Sequence, residues 1–201
     1  MARSGVSYII DEVRRLSGAG TAEFVVGTIS YFSDDTIERI LDTRRARLSR
    51  HEVVFEPELS TDGSGSAVYR HAKIGYGWVE DDSTGTANFI VTNSSGSIYG
   101  TAAYTFSPED GFLTFSSNQK GSQVFVTGWV HNPYQAAMDV LVSWNTQMAF
   151  QPDWETDNMK VKRSQRVGAI QAQIKNLKEL GGWSPALRST KIARTDLDDG
   201  N

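Results

Sequence analysis

WVHNPYQAAMDVLVSWNTQMA, residues 129–149, changes its period in the middle. Up to Val130 the chain reads as a strand. From Pro133 onward Ala137, Val140, Leu141, Trp144 and Met148 recur at helical spacing. Asn132 is a favoured helix cap, Pro133 a favoured first helical residue, and Gln135 stands where it can reach back to the cap. No linker separates the two patterns, so a sheet is coupled to a helix through one capped corner.

Working outward from that corner, residues 51–131 carry a strand pattern. The candidates are 52–56, 67–79, 87–92, 97–106, 112–116 and 122–130, rich in Val, Ile, Phe, Tyr, Trp and Thr. TFSPEDGFLTF, residues 105–115, reads as a hairpin, with Pro108 at the first central position of a turn and Gly111 able to take positive φ. STDGSGS (60–66) and DDSTG (81–85) read as exposed loops. Before this β-rich stretch, Ile9, Ile10, Val13 and Leu16 predict an amphipathic helix over 5–17 that Gly18 and Gly20 stop. Residues 23–32 read as extended or loop. A second helix follows, with Asp35 and Glu38 imitating a capping box and Ile37, Ile40, Leu41 and Leu48 forming its stripe. That reading puts Arg44, Arg45, Arg47 and Arg50 at its far end. Beyond the opening stretch, Val167, Ile170, Ile174 and Leu177 predict a last helix over 164–180, stopped by Gly181-Gly182.

The class that results is α+β. Terminal helices (1–50 and 132–182) close into a small bundle, the β-rich insertion (51–131) makes an antiparallel sandwich or barrel, and 183–201 is an extended polar tail.

Composition narrows the function. The chain of 201 residues has 39% hydrophobic and 22% charged residues, which is globular composition. Twenty basic against 24 acidic residues give a net charge of −4, which argues against a chain whose main task is neutralising phosphates. The absence of cysteine excludes disulfides and thiolate metal sites. No stretch approaches the roughly 20 apolar residues of a membrane span, and the first residues do not read as a secretory signal.

Candidate chemistry is thin. His51, His71 and His131 are far apart and share no metal-ligand spacing. No G-x-S-x-G elbow or phosphate loop occurs, and GYGWVE (75–80) breaks the dinucleotide pattern at its third glycine. Asp81-Asp82 and Asp153, Glu155 and Asp157 sit in loop contexts, where solvated turns are the commoner use than a glycosidase pair. DLDDGN (196–201) starts like a calcium loop but lacks the later bidentate Glu, and NSSG (93–96) reads as a turn. The aromatics Tyr76, Trp78, Tyr99, Tyr104 and Trp129 suit a β core more often than a sugar- or base-stacking platform. The arginines at 44, 45, 47 and 50, with Lys160, Lys162, Arg163 and Arg166, suit pairing with a neighbouring subunit's acids better than phosphates. No catalytic residue, cofactor or metal ligand emerges.

The two ends of the chain, SYIIDEVRRLSGAGTAEF and SYFSDDTIERILDTRRARL at the front and residues 111–180 at the back, resemble the head-to-tail adaptor (connector, or head completion) proteins of tailed bacteriophages. Gly128 with Ala136-Ala137 matches that family's corner into a helix, and Arg163-Ser164-Gln165 its entry to the last helix. The resemblance covers roughly the first 50 and last 80 residues, while 51–105 is larger and more β-rich than plain helical members. It implies a virion structural protein and not an enzyme, made in the host bacterial cytoplasm and placed in the neck. There a ring of copies, often a dodecamer, sits beneath the portal protein and receives a tail, stopper or tail-terminator protein. DNA passes through the channel without specific binding, and no membrane is involved. The contact residues this implies are Arg44, Arg45, Arg47 and Arg50, with Trp183, Leu187, Arg188, Lys191 and Arg194 from the tail. The alternative reading is a carbohydrate- or peptide-binding β module, for example a tail-associated receptor-binding component.

Overall fold

A computed structural model describes residues 3–18, 25–26, 29–30, 32–59, 66–81, 89–149, 154–156, 159–161 and 163–181. A 3-10 turn (Ser4–Val6) leads into α1 (Ser7–Leu16), followed by a two-residue pair, β1 (Val25–Val26) and β2 (Ile29–Ser30), and then α2 (Asp34–Thr43). The β unit comprises β3 (Ala46–Glu52), β4 (Val54–Leu59), β5 (Ala67–Lys73), β6 (Ile90–Asn93), β7 (Tyr104–Ser107), β8 (Phe112–Phe115) and β9 (Val124–Val130). The chain closes through α3 (Pro133–Ala149), a short pair β10 (Trp154–Thr156) and β11 (Met159–Val161), and α4 (Arg163–Gly181).

The fold is α+β, with terminal helices flanking a central unit of two antiparallel sheets. One core gathers Val6, Ile9, Ile10 and Val13 with Phe32, Ile37 and Leu41, and with Ala136, Ala137, Val140, Leu141 and Leu177. Helix α3 is the centre of this bundle, packed by α1, α2 and α4. Its small Ala136 and Ala137 are fully buried, so the helices that lean on it approach closely. The segment between α2 and α3 is therefore an excursion, and the bundle closes only when β9 delivers the chain back to α3.

Sheet one has the order β3-β9-β6 and sheet two the order β4-β5-β8-β7. The alternation along β9 is strict: Val124, Val126, Gly128 and Val130 are buried while Phe125, Thr127 and Trp129 are partly exposed. Those inward residues join Leu48, Val53, Ala72, Ile74, Val79, Val91, Leu113 and Phe115 in a second core between the sheets. The chain changes sheets at Val53, whose side chain is buried and whose N–H donates to the Val124 carbonyl (3.0 Å). Pro57 sits where the β4–β5 register shifts, so the exposed edge strand is bulged where its missing N–H costs nothing.

The sequence expectations hold for α1, α3 and α4 and for the hairpin. Strands β7 and β8 pair as expected, with Gly111 at φ +67° and a Cβ there overlapping the Tyr76 carbonyl. Asn132 caps α3, its Oδ1 accepting from the Gln135 N–H (3.1 Å). The Gln135 side chain does not reach back to the cap; it donates to Asp139 one turn on (3.2 Å). NSSG is a turn, its Asn93 Oδ1 accepting from the Ser97 N–H (2.9 Å).

Three further expectations fail. Helix α2 does not run to residue 50: it ends at Thr43 and a strand begins at Ala46. Leu48 is seven residues beyond Leu41, a spacing that suits two helical turns, but it faces inward on β3 opposite Gly128. The β unit thus starts inside the span assigned to the terminal helices. The cap of α2 is Ser33, which accepts from the Thr36 N–H (3.4 Å), so Asp34 and Asp35 occupy the first turn, where negative charge favours the positive end of the helix. Among the candidate strands, 67–79 stops at Lys73 and 97–106 is extended and paired only over Tyr104–Ser107, apart from an isolated bridge at Ile98. The glycines at 75 and 77 turn the chain after β5.

Candidate functional site

Two polar constellations stand out, one buried at the junction of the two cores and one on the open face of sheet one. The junction is assembled from five residues in four places along the chain. Arg3 lies 2.8 Å (Nε) from Glu38 Oε1 and 2.6 Å (Nη2) from Asp42 Oδ1, both on α2 one turn apart. Its Nε is also 3.6 Å from Glu80 Oε1. Glu80 is 2% exposed and meets His131 Nε2 at 3.4 Å, with His131 itself buried beside the capped corner. The backbone closes around them. Glu80 N–H donates to the Trp129 carbonyl (2.8 Å) and His131 N–H to the Trp78 carbonyl (3.0 Å). Asp81 N–H donates to the Gly5 carbonyl (3.1 Å), and a Cβ at Gly5 would overlap the Asp81 carbonyl.

The electrostatics favour the charged cation. Burial by itself would lower the Arg3 pKa, but its hydrogen bond to Asp42 and the charges of Glu80, Asp42 and Glu38 outweigh that and raise it. The Tyr8 hydroxyl donates to the Val79 carbonyl, and the ring stacks on Trp78 with centroids 6.1 Å apart. Burial, with Asp81, Glu109 and Glu80 nearby, pushes this phenol far above its ordinary value. The junction is a clamp between helices and sheets: it holds charges in fixed places.

The arginine stretch is drawn largely into the chain itself. Arg44 follows α2 and pairs with Asp139 on α3 (2.9 Å). Arg45 pairs with Asp42 (3.3 Å) and lies 4.2 Å above the Trp129 ring. Arg47 lies over the same ring at 5.7 Å, and Arg50 over Phe125 at 4.8 Å while donating to the Ser94 carbonyl (2.7 Å). So Arg44 ties the end of α2 to α3, Arg45 is held between Asp42 and the Trp129 ring, and Arg47 and Arg50 stay on an exposed strand. Trp183, Leu187, Arg188, Lys191 and Arg194 lie outside the described residues, as do Asp82, Asp153, Asp157 and DLDDGN.

The histidines do not converge. His51 Nε2 is 2.8 Å from the Ile74 carbonyl, His71 Nε2 3.0 Å from Glu58, and His131 belongs to the clamp. Among the described residues no group of three metal-ligating side chains forms. Tyr76, Tyr99 and Tyr104 pack against the β core and Trp78 against the helical one. Reading the sequence missed Arg3, Glu38, Asp42, Glu80 and His131 as a unit. Only the Glu38/Asp42 spacing on one helix face offered a local signal; the other three meet through tertiary folding.

No protein family, curated protein or solved structure matches the chain. No helix among the described residues is long and apolar enough to cross a membrane.

Proposed function

We propose that the protein is a structural adaptor of the head-to-tail junction of a tailed bacteriophage, working by assembly with no chemical step. The observation that carries this reading is the way the two cores are joined. The capped corner at Asn132-Pro133 and the Arg3–Glu38–Asp42–Glu80–His131 clamp lock the sheets to the helices. A subunit locked in this way presents its faces to neighbours at a constant angle, which a closed ring of heterologous contacts requires. The segments that resemble the adaptor family supply the helical bundle and strands β8 and β9, and residues 51–105, which hold most of the β unit, are the added part.

Helix α4 supports the same reading. It packs on the bundle through one narrow stripe, Ile170, Ile174 and Leu177, and leaves Arg166, Lys175, Lys178 and Leu180 exposed. Helix α3 likewise leaves Val142 half exposed. Such faces suit contacts between copies or with a portal. The net negative charge suits a channel through which DNA slides.

Cryo-microscopy of the parent particle's neck tests the proposal, with density for a ring of this chain between portal and tail expected. Absence of the chain from that junction, or a turnover activity in the purified protein, overturns it. The carbohydrate-binding alternative needs open ring faces, whereas Trp78 stacks on Tyr8 and Trp129 lies beneath Arg45.

A further inference from the structure

We infer that the outward face of the three-stranded sheet is a docking surface for an extended, carboxylate-rich protein segment, gripped by Arg47 and Arg50. This rests on the reading of the Arg44–Arg50 stretch as a contact surface, but names its partner's chemistry and separates the arginines that bind from those that hold the fold.

The face is formed by the partly exposed residues of β9, Phe125, Thr127 and Trp129, flanked by β3 and β6. Two arginine–aromatic units lie on it: Arg47 with Trp129, and Arg50 with Phe125. A guanidinium resting on a ring keeps its edge N–H groups available in the planar fork that grips a carboxylate by two bonds. Arg44 and Arg45 are committed to Asp139 and Asp42. Among the described residues, by contrast, Arg47 and Arg50 are within salt-bridge distance of no carboxylate. Arg50 is also held in a rare backbone conformation, φ +47°, at the register shift between Leu48 and His51. That backbone choice costs free energy and aims the side chain across the sheet.

Two observations set the shape of the occupant. Phe125 and Trp129 are four residues apart on one strand, so the two units are separated by about 13 Å. Carboxylates four residues apart in an extended segment have the same spacing. At the Arg50 end the face adjoins a polar cleft of about 470 Å³ lined by Asn93, Ser94, Tyr99, Gly121, Ser122 and Gln123. Ser94 belongs to both, since its carbonyl takes the Arg50 hydrogen bond. The cleft therefore extends the track past the second arginine and offers amide and hydroxyl groups to a peptide backbone.

A nucleic acid is the poorer occupant. Arg45 already covers the Trp129 ring that a base would stack on, and two arginines without a carboxylate partner among the described residues would neutralise too few phosphates on a chain of net charge −4. Glu52, opposite Phe125 on β3, borders the Arg50 unit with the wrong sign for any anion. It should limit affinity.

The test uses the full chain and a synthetic peptide, Gly-Ser-Asp-Ser-Gly-Ser-Asp-Ser-Gly. A copy with both aspartates replaced by asparagine and a thymidine oligonucleotide of matched charge serve as controls. Titration followed by intrinsic tryptophan fluorescence and calorimetry should show binding of the acidic peptide alone, weakening with salt. Arg47→Ala and Arg50→Asn should each weaken it about tenfold, the loss of a charge-assisted contact. Asn is chosen because it tolerates positive φ. Glu52→Gln should tighten it. Tighter binding of the oligonucleotide than of the peptide, binding of the neutral peptide equal to that of the acidic one, or no effect of either arginine variant overturns the inference. Ring formation is measured on the same samples, so the docking surface can fail while the adaptor reading stands, and the reverse.

Discussion

Glu80 shows how much one buried carboxylate can fix. It is 2% exposed, with His131 at 3.4 Å and Arg3 at 3.6 Å, groups from two other parts of the chain. Removing one member of such a set leaves the others desolvated and poorly paired. Glu80→Ala should therefore cost about 3 kcal/mol in urea unfolding, and Glu80→Gln, which keeps the volume and a hydrogen-bonding oxygen, distinctly less. Equal losses in the two variants would show that the lost charge alone, and not volume or hydrogen bonding, sets the cost. Tyr8 gives the junction a pH limit. Its phenol is raised above the ordinary value of 10.0 by burial and nearby carboxylates, so above pH 10 the unfolded chain loses a proton the folded one keeps. Its contribution is whole below that pH and is lost as pH rises beyond it. Tyr8→Phe should flatten the fall in stability between neutral and strongly alkaline solution, measured by denaturation at successive pH values. None of this was legible beforehand. His131 and Glu80 are 51 positions apart, and nothing in either neighbourhood signals the other.

At the scale of elements, what could be read depended on whether one local rule acted unopposed. Helix α1 carries its stripe, Ile9, Ile10 and Val13, into the core as the 3.6-residue period requires, and α3 begins at its Asn-Pro signal. The hairpin of β7 and β8 turns where Pro108 and Gly111 say it should. Helix α2 is the instructive failure. Leu41 and Leu48 fit a helix, but Leu48 also fits a strand of period two, and pairing with Gly128 on β9 decides between them. That partner is 80 residues away, so the sequence near Arg44 could not announce the change. The same event moved Arg47 and Arg50 from a helix end to a sheet face, which is why their setting was legible only in three dimensions. The corner itself is testable as an element. Asn132→Ala removes the acceptor that the Gln135 N–H uses and should cost about 1 kcal/mol. Pro133→Gly loosens the first turn and should disturb assembly before it unfolds the subunit. Sedimentation beside thermal denaturation reads both, and a variant that assembles like the parent reduces the corner to an ordinary helix start.

For the whole molecule, the division of labour between two cores is the organising fact. The helical core joins residues between Val6 and Leu41 to residues between Ala136 and Leu177, so the bundle cannot complete itself until the β unit has brought the two parts together. Among the described residues, the buried members of both cores lie between Val6 and Leu177. The chain from Gly182 onward lies outside the described residues, and on the adaptor reading its polar composition suits a segment that docks on partners. Deleting residues 184–201 should leave the thermal midpoint and the urea slope unchanged while abolishing co-sedimentation with the portal protein. If binding survives the deletion, the portal contact belongs to the bundle faces, with α4 and its exposed Lys175, Lys178 and Leu180 the first to alter. If the midpoint falls instead, the tail packs on the subunit, and the separation of a folded body from a docking arm fails with it.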